Sequence, residues 1–387
     1  NINEINKYTG VLDPLNLKAI KNDLRKKDLL ERADNYLMAT GKFAYLLYKE
    51  EIERAMKTTG LSGFQLLDLH DFPGQGSAIV GLLDAFWDDK GIVEPGLFRQ
   101  FAAPLVPLAN FPKAVYLNNE QFQAIVQIAN FTDNVLNNET VKWKISSDTI
   151  IIGEGILKME NVNIGNDNFA GDIKCPLLKI NKASECNLEL EIKDHSNSWN
   201  FWVYPENIEI NTGDVIYTKN LETAEKALKN GQKVLFNPDP ARLNGLEGKF
   251  VSVFWSPVHF PEQAGTMGIL CDPKHNAFKY FPTDMHSNWQ WFDLCKKSVA
   301  VDITEINDVT PIVINIDNFA RNANLASVFE VNIENGKLIF CSMDLSDNLA
   351  ERPVARQLLY SLLKYMNSDA FSPTRKIPAN DLHKIMK

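Results

Sequence analysis

Asp68, His70 and Asp71 are the residues of this 387-residue chain whose types and spacing best suit chemistry on a substrate. Two carboxylates and an imidazole within four positions are versatile hydrogen-bond partners, a set suited to sugar hydroxyls in a concave site. If the segment is extended, Asp68 and His70 share one face, while Asp71 points the other way or lies in the following loop. The same three residues could instead form a polar network closing the end of a barrel. A second run, His286-Ser287-Asn288-Trp289-Gln290-Trp291, alternates aromatic and amide side chains. That alternation suits stacking on a sugar face, with His286, Asn288 and Trp289 as contacting groups, and equally suits a buried packing loop. Arg352 and Arg356 stand one helical turn apart. They could clamp a carboxylate or phosphate, or form a solvated or bridging face, and Asp317 and Arg321 could join a polar network.

The five cysteines, Cys175, Cys186, Cys271, Cys295 and Cys341, are widely spaced, with no CxxC or Cys/His grouping of a zinc site. They read as small buried thiols, with pairing of Cys175 and Cys186 left open. Neither metal nor cofactor is expected. Cys341 follows an expected strand, but Ser342-Met343-Asp344-Leu345 lacks the glycine elbow of a strand-to-helix nucleophile. An amidase built on Cys341 is therefore the third functional reading, after the two given below.

The elements that must position these residues fall into three stretches. Residues 1–60 read as helices: one from Leu15 behind Pro14, one from Leu29 into Tyr48, one from Lys49 to Lys57. Glu50, Glu51 and Glu53 lie on the last with Lys49 and Arg54 and read as a solvated face. Phe64 to Phe72 is a nearly continuous apolar run that turns polar at its end, the pattern of a strand buried on both faces of a parallel sheet. Pro73-Gly74-Gln75-Gly76 is a loop, and Ala78 to Trp87 a further helix. Active sites of barrels collect at the C-terminal ends of such strands. From Phe111 to Pro205, short alternating segments separated by Asn, Asp and Gly turns indicate a β-sandwich, with strands at 114–117, 122–129, 141–145, 188–192 and 198–204. From Asn211 a compact βαβ unit follows: strand 214–217, helix 223–229, strand 233–236. Strands at 311–316 and 337–342 and an amphipathic helix at 353–365 complete it.

A net charge of -9, with 45% hydrophobic and 23% charged residues, is that of globular domains and argues against a nucleic-acid partner or an anionic membrane surface. No apolar run approaches the roughly 20 residues of a membrane span, and no signal-peptide pattern opens the chain. Asn1-Ile2-Asn3-Glu4 reads as the interior of a longer protein.

The run from Gly63 to Gly81, followed by Asp84-Ala85-Phe86-Trp87-Asp88-Asp89-Lys90-Gly91, resembles the last strand and loop of the catalytic barrel in β-galactosidase-like members of glycoside hydrolase family 2. Lys7-Tyr8-Thr9-Gly10, Asn197-Ser198-Trp199, Trp202-Val203-Tyr204-Pro205, Cys271-Asp272-Pro273-Lys274-His275, the 286–291 run and Arg352-Pro353-Val354-Ala355-Arg356-Gln357 resemble segments of the same multidomain proteins. The resemblance implies three parts: 1–110 as the end of a (β/α)8 barrel, 111–205 as an immunoglobulin-like sandwich, and 206–387 as an α/β class I glutamine-amidotransferase-like module. It also implies a retaining hydrolase of β-linked O-glycosides using two glutamates roughly 5–5.5 Å apart. By that correspondence both glutamates fall before Asn1, so no catalytic residue is assigned in this chain. Glu4, Glu50, Glu51 and Glu53 are poor stand-ins. Leu67 departs from the family, which carries a tryptophan near there to close the sugar site. The expected partner is a carbohydrate substrate or oligosaccharide, with the missing N-terminal part or a second copy as a further partner. Export to the periplasm or outside the cell is the family's habit, a cytoplasmic location remaining open. The alternative function is a non-catalytic carbohydrate-binding or scaffolding protein.

Overall fold

Helix α1 (Leu15–Lys26) begins directly behind Pro14 and buries Leu17 and Leu24, one face of a 3.6-residue repeat. Helix α2 (Ala33–Met56) is one element of 24 residues. The expected break between Tyr48 and Lys49 is not formed, because neither residue interrupts the helical hydrogen-bond ladder as Pro or Gly would. The computed structural model describes residues 1–72, 78–148, 150–252, 265–306 and 308–387. The chain is mixed α/β and rich in sheet. It forms two compact units: Asn1–Ala44 with Asp68–Ile92 and Glu209–Lys387, and Tyr45–Leu67 with Val93–Ile208. Among the described residues no helix is long and apolar enough to cross a membrane.

The second unit holds α3 (Pro95–Arg99) and strands β1 (Leu105–Asn110), β2 (Val115–Leu117), β3 (Gln121–Asn130), β4 (Leu136–Ser147), β5 (Ile150–Val162), β6 (Gly165–Pro176), β7 (Ser184–Ile192) and β8 (His195–Tyr204). They form a three-stranded sheet β1-β3-β6 and a five-stranded sheet β2-β8-β7-β4-β5. Phe122, Val126 and Ile173 from the first pack with Val141, Leu188 and Phe201 from the second in one core. Strict alternation makes this possible: every second residue of β7, from Ser184 to Ile192, is buried.

The same unit overturns one expectation about α2. Lys49 and Glu53 are buried rather than solvated. Glu53 Oε1 accepts from Lys49 Nζ and, at 2.8 Å, from Asn197 Nδ2, while Oε2 accepts from Trp199 Nε1 at 2.8 Å. The Lys49 ammonium also lies 4.7 Å from the Trp199 ring centroid. Charge alternation on a helix reads as solvent-facing only when no polar partner waits on a neighbouring strand, and here Asn197 and Trp199 supply it. Glu50 and Glu51 pair with Arg54.

In the first unit, β9 (Val215–Thr218), α4 (Leu221–Lys229) and β10 (Lys233–Phe236) form the βαβ unit, with Leu235 in parallel register between Tyr217 and Ile339. Strands β11 (Leu246–Glu247), β12 (Thr266–Cys271), β13 (Val299–Asp302), β14 (Thr310–Asp317), β15 (Asn324–Ile333), β16 (Gly336–Cys341) and β17 (Lys376–Ile377) extend the sheet, and α5 (Trp291–Lys296) and α6 (Pro353–Met366) join it. The main path runs β11-β13-β15-β16-β10-β9. β9, β10 and β16 form a run of parallel neighbours and β17 lies parallel beside β15, whereas β15 pairs antiparallel with β13, β14 and β16. Helices cover both faces of that parallel run. Ala224 and Leu228 of α4 pack with Val234, Phe236 and Phe329. On the opposite face Tyr365 of α6 donates to Glu330 Oε2 at 2.7 Å, and Lys233 Nζ donates to Met366 O at 2.9 Å.

The buried strand expected over 64–72 and the helix expected over 78–87 are not formed. Among the described residues the sheet-like pairings here are isolated bridges, His70 to Leu83 and Phe72 to Ala78 among them. Among the described residues no strand pairs with 63–68, and Phe64 and Leu67 are 45% and 64% exposed. An apolar run without two flanking strands cannot satisfy its peptide groups as a buried strand must. Residues 73–77 of that motif lie outside the described residues. Among the described residues there is no eight-stranded barrel.

Candidate functional site

Residues 84–88 fold around one carboxylate. Asp84 is buried, and its Oδ1 accepts from the amides of Phe86 at 2.8 Å and Asp88 at 3.0 Å. Its Oδ2 accepts from Lys7 Nζ, which also reaches Asp88 Oδ2 at 2.7 Å. Burial alone would disfavour the ionised form, but the Lys7 ammonium and the two amides outweigh it and hold this carboxyl below its usual range. The amide of Trp87 donates to Asp84 O at 3.1 Å, closing the turn.

Trp87 caps this turn at a φ of 67°, the left-handed region. A bulky side chain pays about 1–2 kcal/mol there relative to ordinary backbone, so the surrounding hydrogen bonds must impose it. The indole is nevertheless 62% exposed. On one side it meets the His70 ring at 4.3 Å between centroids and 40° between planes. His70 Nδ1 is 2.7 Å from Asp71 O, which fixes the imidazole beside the indole. Phe86 is also exposed and is met edge-on by Tyr8 at 4.8 Å. Two sequence segments far apart in the chain, Lys7-Tyr8 and Asp84–Asp88, thus build one aromatic and charged surface.

Asp71 turns inward. Its Oδ1 accepts from Lys90 Nζ at 2.7 Å and from Gly81 N at 2.9 Å, and its Oδ2 has no partner. Burial pushes its pKa up, with Lys90 pulling the other way. Glu4 is buried as well, and burial reinforced by the Asp71 charge raises its pKa. The Tyr8 phenol is pushed up to about 12 by burial and by the charges of Glu4 and Asp71. Gly81 is needed where it is: a Cβ would lie 2.2 Å from the His70 carbonyl carbon and 2.5 Å from Asp71 N. Of the three residues singled out from the sequence, His70 reaches the exposed surface, Asp71 braces it from inside, and Asp68 lies half-buried ahead of them.

The 286–291 run is engaged internally. Asn288 Nδ2 donates to Asp284 Oδ2 at 2.8 Å and its Oδ1 accepts from Gln290 N at 3.2 Å. Ser287 Oγ accepts from Ile269 N at 3.0 Å, and Trp291 Nε1 donates to Thr283 Oγ1 at 2.8 Å. His286 is buried, its Nδ1 2.9 Å from Ser287 O, and burial lowers its pKa. Trp289 is half-buried, 5.4 Å from the Phe250 ring. Cys341 is fully buried, and burial pushes its thiol up to about 12, which removes the thiolate a nucleophile requires. All five cysteines are free, Cys175 and Cys186 included.

Sequence reasoning quoted Phe86, Trp87, Lys7 and Tyr8 only as parts of resembling segments. What it could not supply was the left-handed turn and the exposure of the indole.

Two families match parts of this chain, both described as domains of unknown function: DUF8488 over residues 120–205 and DUF8487 over residues 215–387. No curated protein matches it. Among solved structures, the sporulation control protein Spo0M from Bacillus subtilis is 10% identical over 27% of this chain and 51% of its own, with a TM-score of 0.19. A Paenibacillus sp. cycloisomaltooligosaccharide glucanotransferase is 11% identical over 38% of this chain and 22% of its own, TM-score 0.20. A Parabacteroides merdae β-glucuronidase is 9% identical over 34% and 21%, TM-score 0.19. The chain spans about half or less of these proteins, and superpositions this loose carry no argument about fold or activity.

Proposed function

We propose that this chain binds carbohydrate through the Trp87 turn, as an accessory part of a glycoside hydrolase acting on β-linked sugars. The observation that carries the reading is Trp87 itself, an exposed indole held in a strained backbone conformation by a buried, fully bonded carboxylate. Strain retained at an exposed aromatic is a mark of a ligand contact rather than of packing. An indole face takes up the C–H face of a pyranose, while the His70 imidazole and the Asp88 carboxylate beside it can bond ring hydroxyls. Support also comes from the resemblance of 63–91 to the sugar-facing loop of family 2 glycosidases. The immunoglobulin-like and amidotransferase-like assignments belong to the same reading.

The chemistry offered by the turn is recognition rather than bond cleavage. Asp71 is locked to Lys90 and Asp84 to Lys7, so neither is free as nucleophile or acid. Titration of the full chain with β-linked oligosaccharides, followed by tryptophan fluorescence, should give saturable quenching in wild type and none in Trp87→Ala. p-Nitrophenyl β-glycosides should remain uncleaved by this chain. Absence of saturable binding across glucose-, galactose- and glucuronate-based oligosaccharides would overturn the proposal.

A further inference from the structure

We propose that the crevice at the carboxyl ends of β9, β10 and β16 binds a single neutral sugar unit, at a site separate from the Trp87 turn. The choice of a sugar rests on the carbohydrate reading above; the location does not.

The location follows from topology. In open sheets with helices on both faces, ligands bind where adjacent parallel strands send their connections to opposite faces. β10 and β16 are such a pair. The chain leaving β10 passes to Leu243, which packs in the cluster containing Ala224 and Leu228 of α4. The chain leaving β16 passes to α6, which covers the other face, as the Tyr365–Glu330 and Lys233–Met366 hydrogen bonds establish. Where the two connections part there is a cavity of about 220 Å³. Its wall combines Lys219 after β9, Asp239 after β10, Asp344, Ser346 and Asp347 after β16, and Lys297.

The wall is built in advance. Asn237, fully buried, joins the three strand ends: its Nδ2 donates to Cys341 O at 2.8 Å and Met343 O at 2.7 Å, and its Oδ1 accepts from Tyr217 Oη at 3.1 Å and Leu345 N at 3.2 Å. Asp344 Oδ1 accepts from Ser346 N at 3.0 Å and Asp347 N at 3.1 Å. The buried Arg352 donates to Asp344 Oδ2 at 2.8 Å and Asp347 O at 3.1 Å. Preorganisation of this kind lowers the entropic cost of holding a small ligand.

The ligand class follows from the lining. Two ammonium groups, three carboxylates and a hydroxyl line the space together with the rings of Pro238 and Pro240. A dianion would face three carboxylates, and an apolar molecule would strand them. Among the described residues no group of acidic, histidine or cysteine side chains is placed to hold a metal ion. A molecule carrying adjacent hydroxyls, each both donor and acceptor and none charged, matches the wall.

The test is amide chemical-shift mapping on the ¹⁵N-labelled full chain with millimolar D-glucose, D-galactose and D-xylose, on wild type, Trp87→Ala, Asp239→Asn and Lys297→Met. Asparagine at 239 can still accept from Ala241 N, as Asp239 Oδ1 does at 2.9 Å, so the loop is retained. Shifts at Lys219, Ser346 and Asp347 should saturate in wild type and persist in Trp87→Ala. They should weaken about tenfold, or ~1.4 kcal/mol, in Asp239→Asn and in Lys297→Met. Loss of these shifts in Trp87→Ala, or full strength in both crevice variants, would overturn the proposal. No response at these amides with any of the three sugars would also overturn it, and would leave the Trp87 turn to be judged by its own oligosaccharide binding.

Discussion

The imidazole of His70 and the indole of Trp87 lie 4.3 Å apart, across segments joined by the His70–Leu83 bridge and by the bonds of Asp71 to Gly81 and Lys90. The contact exists because Asp84 gathers the amides of Phe86 and Asp88 and so turns Trp87 back toward His70. The indole pays for this in backbone strain without being buried. Function and stability should therefore separate at this position. Trp87→Gly removes the left-handed penalty of about 1 kcal/mol and forfeits only the ring contact. Its urea midpoint should match or exceed that of wild type while oligosaccharide binding is lost. A large drop in midpoint would show that the indole is a packing residue.

Acid should expose the role of Asp84. Its carboxyl titrates below the ordinary 3.8, so the folded state favours the ionised form. That contribution is complete above the ordinary value and is lost as pH falls through the lowered one. Asp71 and Glu4 have the opposite sign: their raised values mean the fold binds protons more tightly, so they favour it as pH falls. Asp84→Asn keeps an oxygen for the two amides but loses the charge facing Lys7. It should cost about 1.5–3 kcal/mol at neutral pH, the range for hydrogen bonds to charged groups. The gap to wild type should narrow as pH falls below about 4, where the unfolded chain takes up the proton first, and close once pH has passed the lowered folded value. Urea titrations across that range check this; a gap that stays constant down to pH 2 would refute it.

Five strands of the two packed sheets were legible because alternation leaves a direct mark, as over Leu188–Ile192, where every second residue is buried; β1, β5 and β6 were not anticipated. The βαβ unit was legible for a similar reason, with Asn220 capping α4 and Asn230-Gly231 ending it. The 64–72 segment misled because continuous apolarity says that residues are able to be buried, not that neighbours exist to bury them. Phe64 and Leu67 stay largely exposed. The candidate site was half legible. His70 and Asp71 were visible as chemistry, but whether each faces solvent depends on Gly81, whose missing side chain lets two backbones approach, and on Lys90, which draws Asp71 inward. Neither is a local property of the sequence around 68–71.

The Lys49–Glu53 pair makes the last point sharply, since an ordinary i,i+4 ion pair on a helix surface is worth only about 0.3–0.5 kcal/mol. Here the pair is buried, Lys49 carries a pKa lowered by desolvation despite its partner, and both oxygens of Glu53 are hydrogen-bonded. Removing the carboxylate would leave an ammonium in the interior, Trp199 Nε1 without its acceptor, and Asn197 Nδ2 with Pro107 O alone. Glu53→Ala should therefore cost about 3–5 kcal/mol, as does breaking other buried pairs. The double variant Lys49→Met with Glu53→Leu should recover much of that loss, because it removes the unpaired charge as well as the pair. Urea unfolding of the single and double variants checks both statements. A Glu53→Ala cost under about 1 kcal/mol would mean that this side chain meets water in solution, as the charge pattern of α2 by itself suggests.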